Sequence, residues 1–333
     1  MSDQKVKLQE FEALRGLSIL LLLALHSEVF DSTVFGFEVG PLAGVVAAFL
    51  LGSFFFLAGF FAEFSRRKTD GGIFSFMKSK FIRIFPPYWL ALALFIFVLG
   101  YSLKRFDTLA YILNLQWALS PVFIKQVLTL WYISVLVGFY IIFGILLFTV
   151  KSNLWLLIWS ILIFAAGYAL NMAFGLFEPR FFMYYFIFLA GVYFSRFESV
   201  RNRLLELGFG YKLAMAAVVV IPFWLVSARE LAVTNLIFIL TADLFILGWV
   251  LMWLSIFRSN LGSWRIWAFL STASFFTYLY HRPIWKLFEV SFGLEPGVTR
   301  VFINLIPGAI TALVVGYFLQ RGYDRLLYAL RLK

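Results

Sequence analysis

Apolar stretches of roughly 17 to 25 residues recur from one end of this chain to the other, and each can cross a hydrocarbon core of about 30 Å as a helix. They fall at residues 14–30, 39–63, 87–103, 127–150, 154–174, 181–195, 211–227, 232–257, 267–284 and 301–320. No stretch between them is long and polar enough to form a separate soluble domain. With 63% of its residues hydrophobic, 14% charged and a mean hydropathy of +0.93, the chain has too little polar surface to cover a water-soluble globule. The expected fold is an all-α polytopic membrane protein of about ten transmembrane helices, a single domain over residues 1–333.

A formal charge of +11 would point to nucleic acid in a soluble protein. Here the basic residues punctuate apolar runs, as membrane insertion requires, so nucleic acid is set aside. Ten crossings return the chain to its starting side. Of the 28 lysines and arginines, nineteen fall on that side, among them Lys5, Lys7, the group from Arg66 to Arg83 and the group from Arg321 to Lys333. Eight fall opposite, and Arg15 lies at the mouth of the first span. The positive-inside rule therefore puts both termini in the cytoplasm. The polar N-terminus shows no small-residue cleavage site before the first apolar run, which reads as a retained span. Cysteine is absent, which excludes a disulfide, a thiolate metal site and a thiol acyl-enzyme. Two histidines supply a metal site poorly, and none is expected.

Two segments fit the scheme less well. Residues 104–126 are too apolar for a plain loop and suit an interfacial or re-entrant helix, and the span at 181–195 is short. In residues 73–85, Ile73, Met77, Phe81, Ile84 and Phe85 form one apolar face while Lys78, Lys80 and Arg83 supply charge. This pattern predicts a basic amphipathic helix on the cytoplasmic membrane surface, ended by Pro86 and Pro87.

His26 and His281 are the only histidines, and the topology puts both in the membrane near the same interface. Histidine suits proton transfer near neutral pH, so two of them converging in lipid suggest a reaction site. Arg15 and His26 are eleven residues apart, about 20° of offset and a rise of roughly 16 Å on a helix, so they share a face. An anchoring arginine and a hydrogen-bonded buried histidine account for that spacing as well. Glu28, two residues on, faces nearly the opposite way and is no obvious partner for His26. Asp243 lies mid-span, where a carboxylate needs a partner, and pairing with an inward-facing basic residue is expected. The 69 aromatics are mostly packing and lipid-facing residues, with Trp and Tyr near interfaces.

Five blocks in order resemble the acyltransferase 3 family of membrane enzymes. Leu14-Arg15-Gly16-Leu17 with His26 follows its Arg-X10-His arrangement. Phe54-Phe55-Phe56-Leu57-Ala58-Gly59-Phe60 is similar to its aromatic Ser-Gly-Phe segment. Lys80-Phe81-Ile82-Arg83-Ile84-Phe85-Pro86-Pro87-Tyr88 is similar to its basic-X-X-Arg-Ile-X-Pro-X-Tyr signature. Leu130-Trp131 with Phe139-Tyr140, and Tyr278-Leu279-Tyr280-His281-Arg282-Pro283, complete the set. Ala58 replaces the serine, Lys80 the first arginine of the basic pair, and Leu136 and Val137 stand where many relatives carry acids.

The resemblance implies acyl transfer from an acyl-CoA, acetyl-CoA before succinyl-CoA, to a hydroxyl of a cell-envelope or secreted polysaccharide or its lipid-linked precursor. It implies a multi-pass protein of the bacterial inner membrane, with the acyl-CoA, the glycan and membrane lipids as partners and no permanently bound cofactor. Lys80 and Arg83, with Arg66, Arg67 and Tyr88, would bind the coenzyme A phosphates. His26 would act as general base, with Arg15 orienting the donor along the same face. His281 would position the acceptor or stabilise developing charge, and Trp131, Asp243 and Glu28 would support the site. This scheme needs Arg15 and His26 to open into one shared crevice. The alternative class is a glycolipid transporter or flippase without chemistry, for which broken helices and an internal repeat would speak; the sequence shows neither.

Overall fold

The computed structural model describes residues 8–30, 40–69 and 71–332. Lys5, Lys7 and Lys333, counted above toward orientation, lie outside these ranges, as does the expected start of the second span at residue 39. Among the described residues the chain is helical throughout, with no strand. In chain order the helices are α1 (Gln9–His26), α2 (Gly40–Arg67), α3 (Gly72–Phe97), α4 (Arg105–Ile112), α5 (Leu130–Thr149), α6 (Asn153–Phe174), α7 (Pro179–Arg196), α8 (Glu198–Glu206), α9 (Phe209–Ala228), α10 (Leu236–Phe257), α11 (Arg265–Phe292), α12 (Val298–Ile303) and α13 (Ala309–Ala329). A single π-helical turn, Asn304–Gly308, joins α12 to α13, making one long rod of the two.

Seven of these rods are long and apolar enough to cross a membrane: α2, α3, α5, α6, α9, α10 and the joined α12–α13. Three more, α1, α7 and α11, have a length of 18 residues or more but carry more polar side chains. Packing explains why that polarity is tolerable. α1 lies against α2, α10 and α11, and α7 against α2 and α10, so their polar groups face protein. α6, α9 and α13 form the rim, where Trp159, Val218, Ile221 and Phe318 stand exposed, as suits side chains bathed in lipid.

The tightest pair is α2 with α7. A Cβ on Gly59 would lie 2.0 Å from the Phe188 carbonyl oxygen, and one on Gly191 would lie 2.0 Å from that of Phe56. The two glycines face each other's helix backbone, and no side chain fits in either place. Gly59 is the glycine of the Ala58-Gly59-Phe60 block, so at least that part of the motif is architectural.

The third expected span needs correction. Pro86 and Pro87 do not end a helix over 73–85; α3 runs from Gly72 to Phe97 with both prolines inside it. Pro86 has no N–H to give the carbonyl of Ile82, four residues back. The Tyr323 hydroxyl, from α13, donates to that carbonyl at 2.5 Å instead. The basic segment is thus the first half of one continuous rod, with Phe74 and Phe81 on its outer side.

Residues 104–126 hold α4 and a four-residue helical turn, Gln116–Leu119. Tyr111 ties them down: its hydroxyl donates to the Lys125 carbonyl and accepts from the Val127 N–H, each at 2.7 Å. Burial pushes the Tyr111 phenol above its ordinary value, so it stays a donor. Glu178 caps α7 by accepting from the Arg180 N–H, with Pro179 in the first helical position.

Candidate active site

α1 and α11 lie side by side, and between them they reach two cavities at opposite ends of the bundle. At the end where α1 begins, Arg15 joins Lys80 and Arg83 of α3, Ser271 of α11, and Tyr323 and Asp324 of α13 around a cavity of about 520 Å³. Arg15 of α1 and Leu327 of α13 line this one space, so the first half of α1 and the last turns of α13 lie at the same end of the bundle. At the other end, His26 and Arg282 line a cavity of about 320 Å³ with Trp131, Arg180 and Tyr184. Tyr278 lines both.

The single crevice expected for Arg15 and His26 is therefore corrected to two spaces that meet at a tyrosine wall. The Tyr278 hydroxyl donates to the Thr129 carbonyl, and the ring of Tyr132 lies 5.0 Å from that of Tyr278. Eleven residues of helix fixed the shared face, but side chains from α5 and α11 fill the middle of it.

His26 and His281 meet. His26 Nδ1 lies 2.8 Å from His281 Nε2, edge to edge, with the ring planes within 11° of each other and the centroids 5.0 Å apart. His281 is fully buried, and its Nδ1 lies 3.0 Å from the carbonyl oxygens of both Thr277 and Tyr278. Carbonyls only accept, so His281 Nδ1 carries a proton and donates. In the neutral ring its Nε2 is then an acceptor, and the partner proton sits on His26 Nδ1. That leaves His26 Nε2 bare, the ring nitrogen of a part-exposed side chain at the cavity. A buried imidazolium without a carboxylate would be costly, which favours the neutral assignment. Trp285 closes the far side of His281, edge to face at 5.1 Å.

Around the same cavity, the guanidinium of Arg180 lies 3.8 Å over the ring of Trp131. Its Nε donates to Glu178 at 2.6 Å, and Gln126 holds the other carboxylate oxygen at 2.8 Å. Trp131 lines the His26 cavity, with the Arg180 guanidinium over its ring and the Tyr184 ring nearly parallel to it at 6.4 Å.

At the basic end, the Lys80 ammonium sits 5.0 Å from the Phe76 ring and 4.9 Å from the Tyr140 ring, a cation–π seat that holds it beside Arg15 and Arg83. Ala58 and Leu136, two of the departures from the family pattern, line this cavity too. Four candidate assignments are corrected. Tyr88 is fully buried away from the cavity and donates to the Tyr111 carbonyl at 3.0 Å, binding α3 to α4. Arg66 and Arg67 do not join Lys80 and Arg83. Both hydrogen-bond the buried Glu63, as does Arg196 at 3.1 Å, and they line a separate space with Lys151. The i,i+3 and i,i+4 spacing of Glu63 to Arg66 and Arg67 was a signal that sequence reasoning passed over; only Arg196, 133 residues away, could not be read from it. Glu28 pairs with Arg300 and ties the end of α1 to α12. Asp243 lines neither cavity, and among the described residues its buried Oδ1 has no partner, so the expected ion pair is not made.

Sequence reasoning missed Arg180 and undervalued Arg282 and Tyr278. Arg180 counted only as a loop charge. Arg282 and Tyr278 stood inside the block around His281, which was the available signal. Among the described residues no three His, Cys, Asp or Glu side chains gather.

Compared with known proteins, residues 8–321 match a family described as an acyltransferase domain. No curated protein and no solved structure matches.

Proposed function

Because the chain belongs to the acyltransferase 3 family, we propose that this membrane acyltransferase moves an acetyl group from acetyl-CoA to a hydroxyl of a cell-envelope or secreted glycan or its lipid-linked precursor. In this reading all ten long rods cross the bacterial inner membrane and both termini are cytoplasmic. The basic cavity then faces the cytoplasm and the histidine cavity the opposite side.

The observation that carries the reading is the 2.8 Å contact of His26 Nδ1 with the buried His281 beside the cavity that His26 lines, an arrangement in which Nε2 of His26 is left bare. Lys80 and Arg83 grip the coenzyme A phosphates, with Arg15 deeper in the same space. Since the two spaces share only Tyr278, the acyl end of the donor reaches the second cavity when the Tyr278 hydroxyl releases the Thr129 carbonyl and the Tyr132–Tyr278 wall opens. There His26 Nε2 removes the proton of the acceptor hydroxyl as its oxygen attacks the thioester carbonyl. The new C–O bond forms, the C–S bond breaks, and the coenzyme A thiolate recovers the proton from His26. His281 touches no substrate; it is a positioning residue, holding the His26 proton on Nδ1 as the aspartate does for histidine in a serine protease triad.

Purified protein in detergent, given acetyl-CoA and a glycan acceptor, tests this. Free coenzyme A and a glycan heavier by one acetyl group are expected; unchanged acceptor crossing a bilayer in proteoliposomes, with no coenzyme A released, means a transporter instead. Giving succinyl-CoA in parallel decides between the two donors.

A further inference from the structure

Arg180 and Arg282 stand in the His26 cavity with no carboxylate among the described residues lining it. Arg282 follows His281 on α11, and its Nε is buried without a hydrogen-bond partner among the described residues. The two acids whose charges reach Arg282 make their direct contacts elsewhere: Glu28 pairs with Arg300, and Glu289 with Lys286 and Asn304. No ion pair forms on Arg282 among the described residues. Arg180 is ion-paired through its Nε to Glu178, which is not among the residues lining the cavity. Glu178 holds its Nε edge and Trp131 its face, while its terminal nitrogens take no partner among the described residues.

In a space of about 320 Å³, Arg282 makes no ion pair among the described residues and Arg180 keeps its terminal nitrogens open although its Nε is paired with Glu178; an unpaired guanidinium is costly within a membrane unless something answers its charge. A planar guanidinium offers paired N–H groups that match a carboxylate or phosphate. Trp131 adds an aromatic wall next to them.

We propose that the acceptor carries an oxyanion, a sugar carboxylate or a phosphate diester or monoester, and that Arg180 and Arg282 bind it so that a neighbouring hydroxyl lies at His26 Nε2. This rests on the acyltransferase reading above and names the acceptor class for the same site.

The test uses the full-length protein in detergent with acetyl-CoA and three matched oligosaccharides: one neutral, one bearing a uronic acid, one bearing a glycerol phosphate. Coenzyme A release is followed with each. One anionic acceptor is expected to exceed the neutral one in kcat/KM by about 10- to 100-fold, the scale of one charge-assisted hydrogen-bonded contact. Which anion wins identifies the source. Arg282→Gln should raise the KM for that acceptor far more than it lowers kcat, bringing the anionic-to-neutral ratio toward one, and Arg282→Lys should restore part of it. Equal use of all three acceptors by the wild type, or equal loss on all three in Arg282→Gln, overturns the proposal while leaving acyl transfer standing. Absence of coenzyme A release with every acceptor counts against the acyltransferase reading instead. In that case, the binding of glucuronate and glycerol phosphate by ligand-observed NMR decides the anion site separately: binding lost in Arg282→Gln upholds it, and no binding ends it.

Discussion

One imidazole matters most because of which of its nitrogens is bare. The carbonyls of Thr277 and Tyr278 oblige His281 to donate from Nδ1, and that in turn keeps the proton of His26 on its own Nδ1. Removing the base should be the larger loss: His26→Ala is expected to lower kcat by about 10²- to 10⁴-fold with little change in the KM for acyl-CoA. His281→Leu keeps the base but frees its tautomer, so kcat should fall less, and nitrogen-15 NMR of His26 should show both tautomers where the wild type shows Nδ1–H alone. A His281→Leu enzyme with wild-type kcat and a mixed tautomer population would remove His281 from the mechanism. The sequence disclosed both histidines and placed them near one interface. It did not disclose their contact, because the partners are 255 residues apart and no local periodicity links them.

At the level of elements, the helices follow from hydrophobic length and their exceptions from tertiary contacts. The apolar runs foretold ten long rods, nine of them within a few residues of their observed starts. The third begins at Gly72 and runs through two prolines, because the carbonyl that Pro86 abandons is served by Tyr323, 241 residues away. Tyr323→Phe leaves that carbonyl without its donor and should cost about 1 to 3 kcal/mol, read as a lowered thermal midpoint in detergent; an unchanged midpoint would mean water or a neighbour replaces it. Gly59 is stricter, since backbone rather than side chain blocks its Cβ. Gly59→Val should separate α2 from α7 and yield little monodisperse protein by size exclusion, an effect beyond the roughly 1 to 3 kcal/mol of ordinary overpacking.

Across the whole molecule, the basic cavity and the histidine cavity are divided by Tyr132 and Tyr278. Replacing Lys80 and Arg83 together by Ala should raise the KM for acetyl-CoA about 10- to 100-fold and leave the KM for the glycan unaltered; a rise in both would deny the cavities separate tasks. Tyr132→Ala should thin the wall and raise butyryl-CoA use relative to acetyl-CoA, measured as a ratio of kcat/KM. Of this arrangement the sequence showed the inventory at each end, Arg15, Lys80 and Arg83 at one and His26, Trp131 and His281 at the other. It could not show the wall, nor the joining of Arg196 to Glu63, since both depend on side chains brought together from different rods; the pairing of Arg66 and Arg67 with Glu63, three and four residues back on α2, was legible in the spacing. The central claim is that His26 carries a proton from an acceptor hydroxyl during acyl transfer. The most direct measurement is coenzyme A release, with mass spectrometry of the glycan, by wild-type and His26→Ala protein of equal thermal stability. The wild type should release coenzyme A and add one acyl mass while the variant does neither, and an unimpaired His26→Ala enzyme would contradict the account.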